Sequence, residues 1–83
     1  MDRLKKMKTI YVQLLNEGSE VYRPVLSKKI NDFLYELLDN NYDPEDEEWE
    51  FLPGTIVVVE EKILSGEKEL VAIKEYQEKK KNM

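Results

Sequence analysis

The densest chemistry in this sequence lies at Asp43-Pro44-Glu45-Asp46-Glu47-Glu48-Trp49-Glu50, where residues 43–50 hold six carboxylates and no basic side chain. Clustered carboxylates attract Ca²⁺ or Mg²⁺. Calcium loops, however, place their ligands at alternating positions around a turn glycine. Pro44, and the lack of glycine from 43 to 48, break that pattern. The segment reads instead as a solvated acidic loop, or as a surface that docks a basic partner. Other chemistry is scarce. With no histidine, the usual neutral-pH base and every His-bearing zinc site are excluded. With no cysteine, so are thiolate ligation and disulfides. Ser19, Ser27 and Ser65 fall at expected turn or cap positions and outside any G-x-S-x-G elbow, and Gly18, Gly54 and Gly66 are isolated turn glycines. We expect a non-enzymatic protein without metal or cofactor.

Aromatic side chains supply the second candidate surface. Tyr11 and Tyr22 are out of phase with their aliphatic neighbours, so they share the outer face of a first hairpin. Tyr42 and Trp49 flank the acidic run. Together with Arg23 and Glu45, Asp46, Glu47 and Glu48, these residues form a candidate protein-binding set of Tyr11, Tyr22, Arg23, Tyr42, Glu45, Asp46, Glu47, Glu48 and Trp49. The plainer role of Trp49 and Phe51 is to plug the end of a barrel, with the tyrosines covering its outside. Arg23, between Tyr22 and Pro24, is expected to pair with Glu50 and so tie its strand to the Trp49 turn, a buried pair costing roughly 3–5 kcal/mol to break on one side.

The elements that must position these residues are short and β-rich. From Lys8 to Leu15, Ile10, Val12 and Leu14 point to the core and Thr9, Tyr11 and Gln13 away from it. Asn16-Glu17-Gly18-Ser19 then turns the chain. A second strand follows over 20–26, with Val21, Arg23 and Val25 on one face and Tyr22, Pro24 and Leu26 on the other. Pro24 cannot donate to a ladder and belongs at an edge, bend or bulge. Residues 27–40 support two readings. Ser27 could cap a helix on which Ile30, Phe33, Leu34, Leu37 and Leu38 share a face; alternatively, Asn31-Asp32 turns the chain into a third strand. Barrel closure favours the strand, and a short helix within 28–38 stays as the alternative. Residues 39–48 form the acidic loop, Pro53-Gly54 reverses the chain, and Thr55 to Leu64 is the strongest strand. Its apolar run Ile56-Val57-Val58-Val59 suits burial on both faces. Ser65-Gly66 turns the chain into a last strand over 69–74.

These elements predict an all-β fold, a small five-stranded SH3-like barrel over residues 8–76, with 1–7 and 77–83 as flexible basic termini. At 83 residues without disulfides, the chain needs nearly all its large apolar residues in one core, and homo-oligomerisation is the other route to stability. Residues 1–8 carry a net +3 and 74–83 a net +2, which leaves −10 on the body of a chain of net −5. An acidic body opposes duplex binding, which needs a contiguous basic face. No signal peptide or membrane-length apolar run is seen, and the lack of cysteine points to a cytoplasmic location.

Ile10-Tyr11-Val12-x-Leu14, Glu17-Gly18-x-x-Val21-Tyr22-Arg23-Pro24-Val25, Tyr42-Asp43 and Trp49-Glu50-Phe51-x-Pro53-Gly54 together resemble a family of small bacterial proteins of unassigned function. That family carries an E-G-x-x-V-W-R-P-V element followed by W-E-F-x-P-G. The resemblance spans roughly residues 8–75, with Tyr22 where the family has tryptophan. It implies a β-rich single domain and brings no activity with it. A signalling SH3 domain is similar in its acidic loop, tryptophan and proline, but the A-L-Y-D-Y opening and paired tryptophans are absent. Three functions follow as expectations. The first is an interaction module for a basic protein partner, with an inhibitor or immunity role as one version. A nucleic-acid-binding small barrel ranks below it, and the third is a structural subunit of a homo-oligomer.

Overall fold

The computed structural model describes residues 6–77. Five strands follow one another in chain order: β1 (Met7–Gln13), β2 (Tyr22–Lys29), β3 (Leu34–Leu37), β4 (Ile56–Leu64) and β5 (Glu67–Glu75). Successive strands pair antiparallel, and β5 returns beside β1 in parallel to close the barrel. The chain is therefore an all-β closed barrel of the SH3-like kind. Among the described residues no helix is long and apolar enough to cross a membrane. Most of the two basic termini, expected to be flexible, lies outside the described residues.

The expected inward triplet Ile10, Val12 and Leu14 is buried. It meets Val25, Tyr35, Leu37, Trp49, Val57, Val59 and Ala72 in one core. The turn after β1 uses Asn16 and Gly18 at positive φ, and Leu14 N–H donates to Val21 O at 2.8 Å. Strand β2 runs three residues further than its sequence pattern suggests. Ser27 consequently sits neither at a turn nor at a cap; it is fully buried within β2, and its hydroxyl donates to Val25 O at 3.0 Å.

Residues 28–38 form no helix. Asn31 Oδ1 accepts from Phe33 N–H (2.8 Å) and Leu34 N–H (3.0 Å), which fixes the turn into β3. A helix there would have gathered Phe33 and Leu34 with Leu37 on one face. Alternation instead buries Tyr35 and Leu37, and β3 closes the gap between β2 and β4. Strand β4 also departs from expectation. Only Val57 and Val59 are buried, while Ile56 and Val58 stay half-covered on the outer face.

Two devices manage the edges. Pro24 faces Tyr11 across the β1–β2 ladder. The Leu14–Val21 bond sets the alternation so that the nitrogen of Pro24 points away from β1, where β3 does not reach. Beyond it, the Asn40 side chain takes the place of a strand residue. Its Oδ1 accepts from Leu26 N–H (2.8 Å) and its Nδ2 donates to Leu26 O (3.3 Å) and Leu38 O (2.8 Å). The β1–β5 seam rests on the single bridge Tyr11–Val71. Past it, β1 is paired by the Trp49 segment: Leu15 N–H donates to Glu48 O (2.8 Å) and Glu50 N–H to Gln13 O (2.9 Å), around the bridge Leu14–Trp49.

Candidate functional site

The acidic run folds into a single turn. The Asp43 carbonyl accepts from Asp46 N–H and Glu47 N–H, both at 3.0 Å, and its carboxylate accepts from Glu45 N–H at 3.0 Å. Asp43 is thus a cap, and Pro44 occupies the first position of the turn, where a missing N–H costs nothing. The same bonds turn the Asp43 carboxylate toward the backbone. Among the described residues, no three acidic groups converge as a metal would require.

The turn delivers Glu47 onto Arg23. The guanidinium grips the carboxylate with two parallel donors, Nε to Oε1 at 2.8 Å and Nη2 to Oε2. Trp49 Nε1 donates to the same Oε1 at 3.2 Å. The hydrogen bond from Arg23 holds the Glu47 carboxyl below its ordinary value, against the opposing effect of burial, and the Trp49 N–H adds to the lowering. The bond to Glu47 likewise raises the Arg23 pKa. The expected partner Glu50 is corrected to Glu47. The short pairing with β1 turns Trp49 inward, so Glu48 and Glu50 point outward, away from Arg23. The pair is also less buried than expected, with side-chain exposures of 43% for Arg23 and 21% for Glu47.

Trp49 is 3% exposed and closes one end of the barrel, with Phe51 packed against the same core. Its ring lies 4.7 Å from that of Tyr42, tilted by 59°. Tyr42 is held in turn by its N–H donating to Asp39 Oδ1 at 3.1 Å. Beside this pair opens a cleft of about 200 Å³ lined by Arg23, Pro24, Asn40, Tyr42, Asp46 and Glu47, among others.

The structure divides the sequence-derived set. Arg23, Tyr42, Asp46, Glu47 and Trp49 share the cleft. Glu45 and Glu48 are exposed on the loop outside its lining, and Asn16 Nδ2 donates to Glu48 Oε1 at 2.7 Å. Tyr11 and Tyr22 line a separate shallow hollow with Glu20 and Ile63. The cross-strand pair Tyr11–Pro24 lies between the two places. Sequence reasoning did not pick out Asn40 or Pro24 as cleft residues. The only signal for Asn40 was the Asn40-Asn41 turn dipeptide.

The charges at the cleft are unevenly paired. Its one cation is already bound to Glu47, while Asp43, Glu45 and Asp46 remain exposed around a fixed aromatic pair. No family model, curated protein or solved structure matches the chain.

Proposed function

We propose that this chain is a non-catalytic protein-interaction module, cytoplasmic in location, whose acidic cleft docks a basic segment of another protein. The observation that carries the reading is the placement of Tyr42, held against the buried Trp49, beside exposed carboxylates on a clamped turn. The half-buried Tyr42 ring, backed by the buried Trp49 and set next to exposed negative charge, suits an arginine- or lysine-bearing segment, which can lay its stem on Tyr42 and place its charge at the rim. An inhibitor or immunity role against a basic protein is one form of this function, and membership of the bacterial family that the motifs resemble is part of the proposal. Nucleic acid is the weaker partner. Of the body's cations, Arg23 and Lys29 are engaged by Glu47 and Asp32, and Lys62 faces Glu69 across the β4–β5 ladder.

The discriminating variant reverses Glu45 and Asp46, whose side chains accept none of the internal hydrogen bonds described above. Glu45→Lys with Asp46→Lys should keep the fold, with a thermal midpoint only slightly lowered, because Asp46 also favours the charge on Arg23. It should also abolish capture of a host protein that the wild type retains at low salt and releases as salt rises. Capture unaffected by the double reversal would refute an electrostatic dock at this cleft.

A further inference from the structure

Tyr11 and Tyr22 stand half-buried on the outer face of the barrel, and Glu20, Ile63, Leu64 and Ser65 complete a hollow of about 340 Å³ around them. Ile63, near the tip of the β4–β5 hairpin, is 62% exposed and lies outside the core. Neither tyrosine hydroxyl enters a side-chain hydrogen bond among the described residues. The hollow is thus walled by aromatic and aliphatic groups, with two hydroxyls left for outside partners. It adjoins the acidic cleft. Tyr22 and Pro24 lie two positions apart on one face of β2, Pro24 also lines the cleft, and Tyr11 faces Pro24 across the ladder. Two residues of strand span about 7 Å, which sets hollow and cleft roughly 10 Å apart from centre to centre.

We infer that hollow and cleft are the two halves of one groove, and that the segment it docks is extended and carries a bulky aliphatic residue about three to four positions from its arginine or lysine. This rests on the reading of the cleft as a dock for a basic segment, and adds the second residue that the partner must carry. The charges along the groove agree with it. Asp43, Glu45 and Asp46 are exposed at the cleft. At the hollow, Glu20 lines the wall, and Glu67 and Lys68 face Leu64 and Ile63 across the β4–β5 ladder. Of these three only Lys68 is basic, so both ends favour a basic chain. An extended segment leaves its backbone carbonyls free between its two anchors, where the hydroxyls of Tyr11 and Tyr22 can donate to them. A helix would need about seven residues to cover the same distance at about 1.5 Å each, so the spacing in the partner reports its conformation.

Selection of short random peptides displayed on phage against the full chain at low salt tests this. Enriched sequences should pair arginine or lysine with leucine, isoleucine or valine at the stated spacing. Ile63→Ser removes only exposed surface and should keep the fold. It should weaken binding of the tightest enriched peptide by about tenfold, and should not change binding of the same peptide with its aliphatic residue replaced by serine. Glu45→Lys with Asp46→Lys should abolish binding of both peptides. Basic sequences with no aliphatic residue at a fixed spacing, or equal binding by wild type and Ile63→Ser, overturn the two-part groove and leave the cleft standing as a basic dock. A spacing of about seven residues overturns the extended conformation. Enriched peptides indifferent to the double charge reversal, or no enrichment at all, remove the basic dock and the groove with it.

Discussion

Glu47 is one of six carboxylates within eight residues, yet it alone receives three donors, two from Arg23 and one from Trp49. Removing its charge while keeping its shape, as in Glu47→Gln, should cost about 1 kcal/mol, a value discounted for the solvent that reaches Arg23. The pH dependence has a defined sign. The folded-state carboxyl titrates below its unfolded value, so the stabilisation is fully present above the ordinary carboxylate range and is lost as pH falls through the folded value. In urea titrations the gap between wild type and Glu47→Gln should therefore be widest near neutral pH and close in acid. By the same measurement Arg23→Ala should lose about 1–2 kcal/mol, less than a fully buried pair would. That Arg23 would seek an acid near Trp49 was legible in the sequence. Which acid it finds was not, because the choice depends on where the Asp43 turn ends and on the inward phase of Trp49.

At the scale of elements, the least expected feature is a side chain acting as part of a strand. Asn40 satisfies both backbone groups of Leu26 and also bonds Leu38 O, using the oxygen acceptor and the two-proton donor of its carboxamide. Asn40→Asp keeps the acceptor but sets a carboxylate against two carbonyl oxygens. It should destabilise by about 1–3 kcal/mol in denaturant unfolding, and by more than Asn40→Ala, which removes the contacts without adding repulsion. The hairpins around residues 16–19 and 65–66 were legible because their turns declare themselves in Asn, Gly and Ser, and all but Glu17 and Ser19 of those positions take up positive φ. The third strand was ambiguous because four residues of β3 are too few to show a period, and Ile30, Phe33 and Leu34 imitate a helix face while serving a turn and an outer ridge. Ser27 was misplaced for a related reason. Small polar residues usually mark ends, and only the closed interior shows that a hydroxyl can be satisfied locally by Val25 O.

Across the whole molecule, the alternation of β1 and the charge balance announced a small closed barrel with an acidic body. The plug could not be located in detail, since Trp49 meets Leu14 from 35 positions away. As the sole tryptophan and nearly inaccessible, it should emit at short wavelength in the folded protein and shift to the red on unfolding. Trp49→Ala should remove about 3–5 kcal/mol, a large share of what so small a domain commands, and the loss should appear as a lower midpoint in thermal or urea unfolding. The Tyr11–Val71 seam carries a consequence of another kind, one of order in time. A chain emerges from the ribosome from its first residue, and β1 stays without its parallel neighbour until Val71 has cleared the exit tunnel, after nearly all the rest of the barrel has been made. Until then Ile10, Val12 and Leu14 line a sheet that cannot close. The fifth strand is the one that completes the first, and a chain stalled before β5 would present an open apolar trough to chaperones and proteases.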